Sequence, residues 1–172
     1  MTSRSASINF AVFFDHGQIL VCDPDLAAPY NEWTQQHVEQ GFSWRPGCVA
    51  LGMIEGGGEA WLTLERGEPV EIRLDAERAL VVPFDVGPSG LVEIDTTVSP
   101  GPLVRLAPGR YALRFETGHR QGSQEPGEER VWCRLLFTPQ DQVEPCVLRV
   151  DPSLHPSFPL LLDAAPAGQE PD

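Results

Sequence analysis

The sequence predicts a mainly β protein, an antiparallel β-sandwich or partly open barrel with one short helix near residues 31–40. Three observations carry that prediction. Apolar residues recur at every second position along much of the chain, the period of a strand with one buried face. Turns rich in glycine and proline interrupt the alternation at short intervals, the spacing of many-stranded β folds. One segment, "NEWTQQHVEQG" at residues 31–41, has no alternation and carries helix start and stop signals. At 172 residues and 41% hydrophobic, the chain can bury one sizeable core.

The elements follow in chain order. "SINFAVFFD" puts Ile8, Phe10, Val12 and Phe14 on one side of a first strand, and after the turn "HGQ" the run "ILVCD" supplies a second. In the helical segment Asn31 is the expected N-cap, Glu32 suits the first turn, and Gly41 suits the stop. Trp33 and His37, four apart, would share a face, with Trp33 as the anchor. Pro46-Gly47 then turns the chain, which leaves Phe42, Trp44 and Arg45 in an exit loop. "MIEGGGEAW" separates two strands as a hairpin loop. "VEIRLD" predicts a strand with Val70, Ile72 and Leu74 inward and Glu71 and Arg73 outward. "LVEIDTTV" aligns Val92, Ile94, Thr96 and Val98, and "GRYALRFETG" aligns Tyr111, Leu113 and Phe115. "RVWCRLLFTP" and "CVLRV" close the set, and the polar stretch 120–130 reads as a mobile loop. The expected domain is 1–150. Residues 151–172, broken by Pro152, Pro156 and Pro159, read as a Pro-rich extension with a short apolar strap and a partly disordered end.

The 12 basic and 25 acidic residues leave a net charge of −13. Such a surface repels nucleic acid and anionic membrane and suits a basic protein partner. Basic residues are scattered, without the patch that direct nucleic-acid binding requires. No apolar stretch approaches transmembrane length and the N-terminus lacks a signal-peptide core, so the expected location is the cytoplasm. Cysteines 22, 48, 133 and 146 form no close pair in sequence. Cys48 and Cys133 sit in apolar runs that suit reduced, buried thiols, though four cysteines also permit disulfides.

Nothing in the motifs points to catalysis. His16, His37, His119 and His155 fall in no metal-ligand spacing, so no metal or cofactor is expected. There is no Gly-x-Ser-x-Gly elbow, and the glycine run at 56–58 lacks the lysine and following helix of a phosphate loop. Acidic residues carry more information. Glu55, Glu59, Glu65, Glu68, Glu71, Asp75 and Glu77 cluster in mid-chain, and Glu93 and Asp95 share the outward face of their strand. Neighbouring strands would display them as a field that steers a cationic partner.

Several stretches resemble the competence protein J family. They are "SINFAVFFD" at 7–15, "EWTQQHVEQGFSWRPGCVAL" at 32–51 with its Trp33-Thr34 pair, Gly41 and Phe42, "VVPFDVGPSGLVEIDTTV" at 81–98, and "PGRYAL" at 108–113. The likeness spans most of residues 7–150. It implies an acidic, non-enzymatic inhibitor or immunity protein that binds and blocks a basic nuclease in the cytoplasm. In that reading the partner-binding candidates are Trp44, Phe42, Arg45, Glu71, Asp75, Glu93 and Asp95, with Trp44 as the aromatic anchor. Trp33, Gly41, Pro83, Phe84, Gly109 and Tyr111 are expected to maintain the fold. A homo-oligomer is compatible with this reading. The alternatives are a small-ligand or carbohydrate-binding sandwich, with an aromatic pocket around Trp44, Trp61 or Trp132, and an enzyme whose carboxylates work in pairs.

Overall fold

The computed structural model describes residues 6–96, 98, 101–120 and 130–168. In chain order its elements are β1 (Ala6–Phe14), β2 (Gln18–Cys22), α1 (Gln35–Gln40), β3 (Phe42–Arg45), β4 (Cys48–Gly52), β5 (Gly58–Arg66) and β6 (Arg78–Val86). They continue with β7 (Leu91–Asp95), β8 (Leu103–Arg105), β9 (Gly109–His119), β10 (Val131–Pro139) and β11 (Cys146–Arg149). Sheet A orders its strands β1-β5-β10-β9-β6-β11, and sheet B orders them β3-β4-β2-β7-β8. The protein is mainly β: sheet A is curled into a half-barrel and sheet B is packed with it. Every pairing is antiparallel except β5 with β10.

Alternation builds the core between the sheets. Val12 and Phe14, Leu62 and Leu64, Leu113 and Phe115, and Leu135 and Phe137 face inward from sheet A. Ile19, Val21, Phe42, Val49, Leu51, Val92 and Ile94 meet them from sheet B. Phe137 packs edge-to-face with both Phe84 and Tyr111, at centroid distances of 6.1 and 6.0 Å. A smaller cluster, Leu20, Cys22, Cys48 and Ala50, lies on the other face of sheet B beneath Leu26 and Trp33. Burial there comes from the chain between β2 and α1. Within that cluster Cys22 and Cys48, opposite each other across β2 and β4, form a disulfide. Cys133 and Cys146 are free, and burial pushes the Cys133 thiol up to about 12.

Several local expectations are corrected. The helix starts later than expected, because its N-cap is Thr34, not Asn31. Thr34 accepts the His37 amide and the His37 ring bonds the Thr34 amide, a reciprocal capping box. Trp33 therefore precedes the helix and packs on sheet B, with its Nε1 donating to Gln18. Gly41, at φ 88°, closes the helix and donates to His37 and Val38. The glycine run at 56–58 is not a hairpin loop, because it carries the chain from sheet B to sheet A. Residues 70–75 form no strand: Leu74 is 98% exposed, and the stretch lies outside both sheets. Both sides of β5 and β6 are already paired, so no adjacent edge is open to residues 70–75.

Residues 151–168 run back over β3 and α1. Asp151 forms a buried ion pair with Arg78 at 2.6 Å, and Arg78 also donates to the Gly52 carbonyl. Leu154, 1% exposed, packs where a side chain on Gly41 would stand. Gln40 exchanges hydrogen bonds with the backbone of Leu161 in both directions. The Ala164 amide donates to the Trp44 carbonyl, and Asn31 bridges to Pro166. The prolines exclude a central strand yet allow this edge-lying extended path. Residues 169–172, the end of the segment expected to be disordered, and the centre of the 120–130 loop lie outside the described residues.

Candidate partner-binding surface

Sheet A exposes aromatic surface at one end. On β1 the inward positions are Val12 and Phe14, so Phe13 points out and is 55% exposed. On β5 Trp61 points out from the same face, paired with Ala11 on one side and Trp132 on the other. Glu59 stands directly opposite Phe13. Phe13 and Trp61 are thus diagonal neighbours on one face, a spacing that large side chains can bridge. A cavity of about 370 Å³ opens beside Phe13, lined also by Phe14, Glu55, Glu59, Arg130 and Val131.

The neighbouring aromatic is not available in the same way. Trp132 is 3% exposed because the Arg73 guanidinium stacks on its ring at 3.7 Å. The segment carrying Arg73 is clamped to the sheet through Glu116, which is fully buried and accepts from the Arg73 amide and from Arg114 and Arg134. Gly118 permits this close approach, since a Cβ there would collide with the Asp75 carbonyl oxygen.

Carboxylates rim the exposed aromatics. His119 lies between Glu55 and Glu77, 2.7 Å from each. The hydrogen bond to Glu55 and then the one to Glu77 raise the His119 pKa above its ordinary value against the opposing effect of burial. The cluster ties three pieces of chain together: the β4–β5 connection, the start of β6 and the end of β9. Glu59 makes no side-chain hydrogen bond or ion pair among the described residues and stands free beside Phe13. The combination of apolar rings and a negative rim suits a cationic protein surface. Among the described residues no group of three or more histidine, cysteine or acidic side chains could hold a metal ion.

The structure disperses the residues singled out from sequence. Phe42 is fully buried in the core and presents no surface. Trp44 is half-buried in β3, not in a loop, and its Nε1 donates to the Pro83 carbonyl at 2.7 Å. Arg45 is also half-buried; its Nε donates to Asn31, and loss of solvent lowers its pKa. Both lie beside the 151–168 segment, so this trio forms a packed seam. Glu71 and Asp75 are exposed over the outer face of sheet A, with Asp75 accepting from Nε and Nη2 of Arg73 and its pKa lowered by that pairing. Glu93 and Asp95 are on sheet B, Asp95 only 8% exposed, and burial raises both pKa values. One acidic pair thus lies in the connection over sheet A and the other on sheet B, so they form no continuous field. Glu93 and Asp95 also lie side by side on one strand, without the facing geometry of a catalytic pair. Trp44 is on the other sheet from Trp61 and Trp132, so the three tryptophans line no common pocket.

Of the residues expected to maintain the fold, Pro83 lies in β6 beyond the last residue paired with β11, where a missing amide costs no ladder bond on that side. Phe84 is in the core, Gly109 takes φ 143° at the start of β9, and the Tyr111 hydroxyl donates to the Ala107 carbonyl. Sequence reasoning missed Phe13. Its signal was present: an aromatic at an outward position of an alternating strand.

Fold and surface together define an acidic two-sheet β protein with one capped helix and an exposed aromatic end. The chain belongs to the Competence protein J (ComJ) family, whose model matches residues 11–138. The crystal structure of ComJ from Bacillus subtilis, described as the inhibitor of the DNA degrading activity of NucA, is similar with a TM-score of 0.68 at 17% identity. That match covers 80% of this chain and 100% of the other. The structure of a protein called crocagin biosynthetic gene J is similar at TM-score 0.50 and 15% identity, over 80% of this chain and 99% of the other. No curated protein sequence matches this chain.

Proposed function

We propose that this protein is an inhibitor or immunity protein that binds a basic nuclease in the cytoplasm and blocks its access to DNA. Membership of the ComJ family carries this reading, because the solved relative ComJ is described as a nuclease inhibitor. The physics fits. A nuclease must hold a polyanion, so it presents a basic cleft, and a protein of net charge −13 competes for that cleft. The carboxylates speed encounter, and the exposed Phe13 and Trp61 supply the desolvated contacts that make a complex last. The protein performs no bond chemistry of its own in this role; it acts by occupancy.

The test begins with capture of host nucleases on the tagged protein. Each captured nuclease is then purified and assayed for plasmid cleavage while the inhibitor is titrated. The reading expects cleavage to stop near equimolar inhibitor, with inhibition weakening as salt rises. Unchanged cleavage at a large molar excess, for every captured nuclease, would refute it.

A further inference from the structure

The two sheets have four edges, and three of them are closed or blunted. The β3 edge is covered by the chain's own 151–168 segment through the bond from the Ala164 amide to the Trp44 carbonyl. The β8 edge is three residues long. The β11 edge is four residues long, has a register irregularity between Val147 and Arg149, and is pinned by Arg149 to the Arg73 and Ala76 carbonyls. These are the devices by which proteins disable strand edges.

The fourth edge has none of them. β1 is nine residues long, ASINFAVFF, with no charge and no proline. It pairs regularly with β5 from Ala6 to Phe14. Among the described residues no backbone hydrogen bond reaches its other side. A long, neutral edge of high β propensity is a template for another strand. Its surroundings select the strand's chemistry. Phe13 and Trp61 face outward beside it, Ile8 is 47% exposed, and the Phe13 end is flanked by Glu59, Glu55 and Asp15 against the single cation Arg130 in the cavity lining, so acids outnumber bases there.

We infer that β1 is a strand acceptor and that it takes an extended, lysine- or arginine-bearing segment of the nuclease, extending sheet A by one strand. This rests on the inhibitor reading and specifies its contact. Main-chain pairing with β1 would fix the register. Alternate side chains of the added strand would pass over Phe13 and Trp61, where the rim carboxylates meet their positive groups. Charge complementarity favours the nuclease over a second copy of this chain, whose matching edge would bring the same carboxylates along.

Amide hydrogen exchange tests this on the full chain, free and in complex with the nuclease it inhibits. In the free protein every second amide of Ala6–Phe14 is expected to exchange fast, because only alternate residues bond β5. In the complex those amides should slow by roughly tenfold or more, while β8 and β11 amides keep their free rates. Protection of the open β1 amides in the complex alone, with the free protein monomeric by sedimentation, supports the proposal. Full inhibition with β1 exchange unchanged overturns it and leaves the inhibitor reading standing. Slow exchange of those amides in the free protein together with a dimer also overturns it, since a second copy would then hold the edge. Failure to inhibit any captured nuclease removes both.

Discussion

The β3 edge of sheet B and the β1 edge of sheet A both carry aromatic side chains and end in opposite states. At β3 the chain returns on itself: the Ala164 amide bonds the Trp44 carbonyl, and the half-buried Trp44 and Arg45 side chains are held by Pro83 and Asn31. At β1 no backbone hydrogen bond reaches the outer edge among the described residues, and Phe13 and Trp61 are partly exposed beside Glu59. An aromatic residue near an edge therefore indicates packing or binding according to whether the chain supplies its own cover. Burial decides between the two, and residue type does not.

The comparison breaks most sharply if the cover is lost. Arg78 and Asp151 are both about nine-tenths buried or more and anchor the start of the returning segment. Arg78→Met should leave Asp151 buried without its cation and destabilise the protein by about 3–5 kcal/mol, read by urea denaturation. A loss below about 1 kcal/mol, the scale of an exposed pair, would show that the segment is not anchored there.

The open edge predicts the reverse balance of stability and binding. Phe13→Ala combined with Trp61→Ala should weaken nuclease binding by about 2 kcal/mol, roughly 30-fold, as central aromatic contacts do. Stability should change less, because Phe13 is 55% and Trp61 37% exposed in the free protein. Trp44→Ala should do the opposite, lowering stability through lost packing and the lost bond to Pro83 while sparing affinity. Calorimetric binding and thermal melts of the three variants separate the two edges.

Period-two alternation made most strands and their inward faces legible in the sequence, and the motif order made the family legible. The failures share one physical cause. Alternation reports that a strand-like face exists, but it does not report whether an edge is free to receive it. Val70, Ile72 and Leu74 alternate as well as any strand here, yet β5 and β6 have no vacant side near them. Phe42 and Trp44 read as loop residues because the helix stop and the Pro46-Gly47 turn crowd them, although four residues suffice for β3. The outward position of Phe13 is legible in the alternation of β1, but the surface it shares with Trp61 depends on β5 arriving beside β1 from more than forty residues away. The fate of Trp44 depends on residues 151–168, more distant still.

Acid sharpens the contrast at the closed edge. Although burial pushes the Asp151 carboxyl upward, its bonds to Arg78 and Ser153 prevail and hold its pKa at about 2. A depressed carboxyl stabilises the fold above its unfolded pKa near 4, and that contribution is lost as pH falls from about 4 through about 2. With a shift of this size the contribution is roughly 2 kcal/mol. Urea midpoints should therefore fall over that window in the wild type, and the fall should be smaller in Arg78→Met. An equal pH slope in both proteins would place the acid-sensitive group elsewhere.

The open edge responds at the other end of the pH scale, and more weakly. Glu55 and Glu77 raise the His119 pKa, so the protonated ring stabilises the fold below the ordinary histidine value near 6.5, and that contribution is lost as pH rises through the raised value. The side chain is 43% exposed, so water screens the pair and the stability change is small. Binding should move with the opposite sign. Deprotonating His119 removes a positive charge from Glu55, which lines the Phe13 cavity, and so makes the rim more negative and its pull on a cationic strand stronger. Affinity should thus rise as stability slips across the same pH interval, and proton NMR of the His119 ring locates that interval. Glu55→Gln should lower the His119 pKa, because its hydrogen bond is the largest cause of the shift, and should move both transitions together. Binding that stays flat across the His119 titration while the ring signal shifts would place the cationic contact away from this end of sheet A.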